Sequence, residues 1–215
     1  MEKPTIFYVY DALCGWCYGF GPVIQKFEDN YRNRVQLEVL SGGMVVGSRV
    51  GPISNMADYI RQAVPRLTEI TGVKFGEAYF TEVLGKGTYI SNSEPPSVAL
   101  SILKQQAGEQ PVTLAHNLQK LQFVEGCDFN EVETYLPLAA AYGVDEETFR
   151  HKFTSSDYKL KAQQEFELVQ SWGITGFPAV VCQSRDKLYL AARGFTPYEQ
   201  LTATIEQILA GEIAG

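Results

Sequence analysis

The chain has 215 residues, enough for one large domain or for a domain that carries a sizeable insertion. Its 45% apolar and 20% charged residues exclude a disordered chain. A net charge of -7, from 18 basic and 25 acidic residues with no dense Lys/Arg run, argues against nucleic acid as a partner.

No apolar run approaches the ~20 residues that span a bilayer, so no membrane partner is expected. Met1-Glu2-Lys3-Pro4 leads straight into an extended run, without the basic region, apolar stretch and small-residue cleavage site of a secretory signal. A cytoplasmic protein is the expectation.

Thr5-Ile6-Phe7-Tyr8-Val9-Tyr10 is β-branched and aromatic almost throughout, which predicts a strand buried on both faces. It runs into Asp11-Ala12-Leu13-Cys14-Gly15-Trp16-Cys17, and then Trp16, Phe20, Val23, Ile24 and Phe27 recur at helical spacing. Pro22 lies inside that helix and should bend it. Val35-Gln36-Leu37-Glu38-Val39-Leu40 alternates apolar and polar and predicts a second strand. Strand, helix, strand reads as a right-handed βαβ unit with parallel strands.

From Ser41-Gly42-Gly43 onward, helical patterns dominate to about Trp172. One helix is predicted from Ala57 to Thr71 with a kink at Pro65, another from Pro95-Pro96, and a third from Val112 to Val124. Asp128 and Glu131 form an apparent capping box for a helix ending near Gly143, and Asp145 caps a short helix through Phe153. A gap this long between sheet elements is not a loop. It reads as an all-helical insertion in a smaller α/β domain.

A helix lined by Phe166, Val169 and Trp172 stops at Gly173, and the sheet pattern then resumes. Ala179-Val180-Val181-Cys182 is an apolar strand, paired with Lys187-Leu188-Tyr189-Leu190-Ala191-Ala192 across the turn Ser184-Arg185-Asp186. Thr196-Pro197-Tyr198-Glu199 offers a cap, a proline at the first position and an acid at the third for a last helix. The organisation expected is a discontinuous α/β domain over residues 1–46 and 160–215, with the helical insertion over 47–159.

Chemistry concentrates at Cys14 and Cys17. A cysteine in the first turn of a helix faces unpaired N–H groups and the positive end of the dipole, which favour a thiolate, the nucleophilic form. Its i+3 partner lies on the same side, within reach of a mixed disulfide formed by the first. Four cysteines in a chain of this length are too few for a disulfide scaffold. Cys127, Cys182, His116 and His151 form no second close pair, so no metal is expected.

Asp11 is placed to accept or relay a proton, and equally to shape the turn at the strand's end. Trp16 offers either an apolar rim for substrate or plain packing. Cys182 reads as a core residue and Cys127 as a thiol at a helix junction, with a second disulfide between them as an alternative. His116 and His151 are assigned no chemistry.

A strand, Cys14-Gly15-Trp16-Cys17, Pro22, a second strand, a helical insertion and Gly176-Phe177-Pro178-Ala179 before a strand together resemble the DsbA family of the thioredoxin superfamily. The resemblance covers essentially the whole chain. Asp11, Gly42-Gly43-Met44 and Tyr89-Ile90-Ser91-Asn92-Ser93-Glu94-Pro95-Pro96 look more like its cytoplasmic, FrnE-like or protein-disulfide isomerase branch. That branch is close to the 2-hydroxychromene-2-carboxylate isomerase and kappa-class glutathione transferase relatives. Those relatives commonly carry serine at the place of Cys14, so two cysteines favour redox chemistry.

The resemblance implies an α/β thioredoxin fold with a large all-helical insertion, and a thiol–disulfide oxidoreductase or isomerase. Cys14 would be the nucleophile and Cys17 the resolving thiol. Pro178 would follow a cis bond that sets the backbone of Phe177 beside Cys14, with Trp16, Phe177, Met44 and Asn92 binding substrate. The partners implied are protein or small thiol and disulfide substrates and a redox-recycling protein. The implied cofactor is none beyond the redox-active disulfide, with glutathione as a candidate reductant.

Gly15-Trp16 lacks the histidine of strongly oxidising members, which implies a less oxidising pair. Two alternatives stand beside this reading. One is a glutathione-dependent transferase or isomerase, with glutathione across Phe177-Pro178 and Ser91-Asn92-Ser93. The other is a non-enzymatic, client-binding chaperone module.

Overall fold

The computed structural model describes residues 3–108 and 110–212, so the outermost expected bounds, residues 1, 2 and 213–215, lie outside the described residues. β1 (Thr5–Tyr10) leads through a short turn into α1 (Gly15–Tyr31) and β2 (Gln36–Ser41). β3 (Gly51–Pro52), α2 (Ala57–Thr71), a π-helical stretch Tyr79–Gly85 and β4 (Ile90–Ser91) follow. Next come α3 (Glu94–Leu103), α4 (Pro111–Phe123), α5 (Leu136–Ala141), α6 (Glu146–Thr154) and α7 (Ser156–Ser171). The chain closes with β5 (Ala179–Ser184), β6 (Lys187–Arg193) and α8 (Tyr198–Ala210).

Four strands form one sheet in the order β2-β1-β5-β6. β1 and β2 pair in parallel from Thr5–Gln36 to Tyr10–Ser41, as the strand–helix–strand pattern requires. β5 returns antiparallel to β1, and β6 antiparallel to β5. This mixed α/β arrangement is the one expected. The stretch expected to be all-helical also holds a two-residue antiparallel ladder, β3 with β4. The expected boundary at residue 160 falls inside α7, which begins at Ser156.

One large cluster of buried side chains joins the sheet to the inserted helices. It includes Ile6 and Tyr8 of β1, Phe20 and Phe27 of α1, Leu100 of α3, Leu118 of α4 and Phe149 of α6. At the end of β2, the Lys104 ammonium donates to the Val39 carbonyl at 2.9 Å and pairs with Glu165 of α7. The other carboxylate oxygen of Glu165 accepts the Ser41 N–H at 2.8 Å, so α7 is fastened to β2 by a satisfied, mostly buried charge pair.

Two helix starts differ from expectation. Asp128 does not cap α5: its Oδ1 accepts the backbone N–H of Asn130 at 2.8 Å and the Asn130 side chain at 2.7 Å. An Asx turn therefore wins over the capping box, and the chain becomes helical only at Val132, first as a 3-10 turn. Thr196 does not cap α8 either; Pro197 is the N-cap, and the Thr196 hydroxyl donates to the Gly194 carbonyl at 3.3 Å. Asp145 caps α6 as expected, accepting from Thr148 N–H at 2.9 Å. Among the described residues, no helix is long and apolar enough to cross a membrane.

Candidate active site

β1 delivers the chain to a turn in which the Cys14 N–H donates to the Asp11 carbonyl at 3.1 Å. Cys14 is then the N-cap of α1, with extended backbone angles, and its sulfur accepts the Cys17 N–H at 3.2 Å. A cysteine here does what serine or threonine does at other helix starts: it satisfies an orphan donor of the first turn. The Cys14 thiol also donates to the Phe177 carbonyl at 3.6 Å.

The two thiols are not equivalent. Cys14 keeps 6% of its surface exposed and Cys17 none, so of the two only the Cys14 thiol is reached from solvent. Burial, and next the hydrogen bond and charge of Cys14, push the Cys17 thiol well above its ordinary range. All four cysteines are free. Burial also pushes the Cys182 thiol up to about 11, and burial, then the Glu125 charge, raises that of Cys127.

Phe177 and Pro178, joined by a cis bond, come from the loop before β5. Gly42 and Gly43 make their place. A Cβ on Gly42 would stand 2.1 Å from the Phe177 ring, and one on Gly43 2.7 Å from the Phe166 ring, so only glycine admits both aromatics.

Asp11 is wholly buried. Its Oδ1 accepts Leu13 N–H and the Ser93 hydroxyl, each at 3.0 Å, and its Oδ2 accepts Met44 N–H at 2.7 Å. Burial raises its pKa, while these bonds and the Arg49 charge pull the other way. Ser93 also accepts Val45 N–H at 2.9 Å. One carboxylate therefore ties together the cysteine turn, the loop after β2 and the start of α3. The turn-forming role weighed for Asp11 is visible directly.

Other expected site residues sit as follows. Met44 reaches Asp11 through its backbone, and its half-buried side chain packs against the main core. Trp16 is half-buried between the main core and a second cluster under α2. Asn92 spends its side-chain carbonyl on Glu94 N–H at 3.0 Å, where it opens α3. The structure thus brings Cys14, Cys17, Phe177, Pro178, Asp11 and the Met44 backbone together, whereas Asn92 serves a helix start.

Gln119 is an addition that the sequence does not single out, while Ser93 and His116 take places here other than the glutathione contact and the absence of chemistry expected of them. Ser93 lies inside a stretch that drew attention as a whole. Gln119 and His116 belong to the inner face of α4, where a buried polar residue among leucines was the available signal. His116 stacks on Tyr18 of α1, with ring centroids 5.3 Å apart and planes 11° apart. Gly21 leaves it room, since a Cβ there would lie 2.1 Å from Nδ1. Burial, then the Lys120 charge, lower this imidazole to about 4, so it is neutral. Among the described residues no group of three or more His, Cys, Asp or Glu could hold a metal ion.

The sequence matches the DSBA-like thioredoxin domain over residues 5–206. The chain belongs to that family. Among solved structures it is similar to a Nitrosomonas europaea protein provisionally named a protein disulfide isomerase, with 25% identity over 99% of this chain and 100% of that one, at a TM-score of 0.86. It also resembles the cytosolic disulfide reductase DsbM of Pseudomonas aeruginosa, at 23% identity, 95% and 98% coverage and a TM-score of 0.77. DsbM has been solved with GSH as well. A 2-hydroxychromene-2-carboxylate isomerase shares the fold at 12% identity, 97% coverage of both chains and a TM-score of 0.67. No curated protein is matched.

Proposed function

We propose that this DSBA-like protein is a thiol–disulfide oxidoreductase working through Cys14 and Cys17. The observation that carries the reading is the asymmetry of the pair: an N-cap thiol that keeps a narrow opening to solvent, held between the Cys17 N–H and the Phe177 carbonyl, over a fully buried partner. The Cys14 thiolate attacks a substrate disulfide, forms a mixed disulfide and expels one substrate thiolate. Cys17 then loses its proton and attacks the Cys14 sulfur, which forms Cys14–Cys17 and expels the second substrate thiolate. The substrate gains two electrons and the enzyme loses two; the reverse sequence oxidises a dithiol.

Phe177, beside the sulfur, would offer backbone hydrogen bonds to an extended substrate, and half-buried Trp16 an apolar surface two residues from Cys14. The likeness to a disulfide reductase and to a disulfide isomerase-type protein supports work in the reducing direction. In a cytoplasmic setting a small thiol such as glutathione would regenerate the dithiol. Gly15-Trp16, without histidine, fits a moderately reducing pair.

The test is a pair of variants. Cys14→Ser is expected to abolish insulin reduction, whereas Cys17→Ser is expected to accumulate mixed disulfides that migrate as adducts on non-reducing gels. Wild-type turnover by Cys14→Ser would refute the proposal. Likeness to an isomerase of the same fold favours a second reading, glutathione-dependent isomerisation or transfer. Saturable conjugate formation without net thiol oxidation would support it.

A further inference from the structure

Behind the cysteines, α4 sends one polar side chain into the turn that presents them. Gln119 is 1% exposed, and its Nε2 lies 3.1 Å from the carbonyl oxygen of Asp11, 3.4 Å from that of Cys14 and 3.5 Å from that of Ala12. A carboxamide has two N–H donors, so they are shared among three oxygens that converge on one point. The Asp11 carbonyl also takes the Cys14 N–H at 3.1 Å, and the Cys14 carbonyl takes the Tyr18 N–H at 3.1 Å. Gln119 therefore braces both ends of the turn that carries the nucleophile.

Converging carbonyls gather partial negative charge at the base of the Cys14 side chain, where a thiolate must form. In a buried, water-poor setting such dipoles are screened less than they are in water. An N–H donor aimed at the oxygens offsets part of that charge. We infer that Gln119 is a positioning residue for Cys14: its carboxamide fixes the Asp11–Cys14 turn and eases formation of the attacking thiolate. This rests on reading Cys14 as the attacking thiol.

It also gives α4 a part in the chemistry, although that helix lies about a hundred residues from Cys14 in the sequence and its hydrogen bond to Cys14 goes to the backbone carbonyl. Gln122 supplies an internal control. It sits one turn further along α4 and is 2% exposed, and its Nε2 has no hydrogen-bond partner among the described residues. If burying any glutamine on this helix were what mattered, both residues would behave alike.

The test is alkylation of the reduced full-length protein by iodoacetamide, with the Cys14 peptide quantified by mass spectrometry across pH. Gln119→Met is expected to slow Cys14 alkylation about threefold to tenfold near pH 7, with the deficit closing by about pH 10, while Gln122→Met follows the wild type. Gln119→Met tracking the wild type near neutral pH, an equal loss in Gln122→Met, or a deficit unchanged at high pH would each overturn the inference. If circular dichroism shows Gln119→Met unfolded, Gln119→Asn takes its place with the same expectation, since it keeps the amide but withdraws it by one methylene. Insulin turnover by the wild type is measured in parallel. Its absence would defeat the oxidoreductase reading and still leave the alkylation comparison to decide Gln119.

Discussion

Gly42 has no room for a side chain, because the Phe177 ring occupies the space a Cβ would need. Gly42→Ala must displace either that ring, whose backbone carbonyl meets the Cys14 thiol, or the Gly42–Met44 loop, which is hydrogen-bonded to Asp11. We expect a stability loss of about 1–3 kcal/mol and a fall in insulin reduction of about tenfold or more, with the circular dichroism spectrum retained. Unchanged turnover would show that the Phe177 position is not needed. His116 supplies a second residue-scale prediction. It is held near 4 in the folded protein against an ordinary 6.5, so the unfolded chain takes up a proton first as pH falls. Its contribution is fully present above 6.5 and is lost as pH falls toward about 4, up to about 3 kcal/mol. Urea unfolding across that range should show a shallower fall for His116→Phe than for the wild type; parallel curves would contradict it. Asp11 and Glu28, whose buried carboxyls are raised, contribute slopes of the opposite sign to both proteins and cancel in the comparison.

The cysteine spacing was legible because it is local, and Phe177-Pro178 because a resemblance pointed to it. The partners of Asp11 were not. Met44 and Ser93 stand 33 and 82 positions away, and nothing in a linear pattern brings them to one carboxylate. Asp128 was misread for a related reason. A capping rule sees an acid three residues on, but Asn130, two residues on, offers two donors and takes the carboxylate first.

At the scale of elements, α4 shows how a helix start can look uncapped in sequence and be capped in space. Gln110 at its N-cap makes no side-chain capping bond. Glu28 of α1 instead accepts Val112 N–H at 2.8 Å, Thr113 N–H at 3.1 Å and the Thr113 hydroxyl at 2.7 Å. A carboxylate at that end also meets the favourable pole of the dipole. Glu28→Ala leaves these buried donors unpaired and is expected to cost about 1–3 kcal/mol, read as a lowered melting temperature. Because α4 carries both His116 and Gln119 against α1, the same variant should also alkylate more slowly at Cys14. A variant as stable as the wild type would show that water replaces the carboxylate without loss.

At the scale of the molecule, helical and sheet residues share one buried cluster. We propose that residues 47–159 are an insertion in topology and not a separately folding unit. Urea unfolding followed by tryptophan fluorescence, from Trp16 beside the cysteines and Trp172 at the end of α7, should coincide with that followed by circular dichroism. Two resolved transitions would show that the insertion folds by itself. The extent of the shared core was not readable beforehand, since helical periodicity tells which face is apolar but not what covers it.

The capping role of Cys14 has an evolutionary corollary. Serine is among the residues best suited to that position, so exchanging one sulfur for one oxygen keeps the start of α1 intact. What changes is the behaviour of the cradle: a hydroxyl between the Cys17 N–H and the Phe177 carbonyl can hold a visiting thiol but cannot bond to it. Under the proposed function, a cradle that bonds a thiol and one that only holds it would therefore differ by a single atom, with no rebuilding of the scaffold between them.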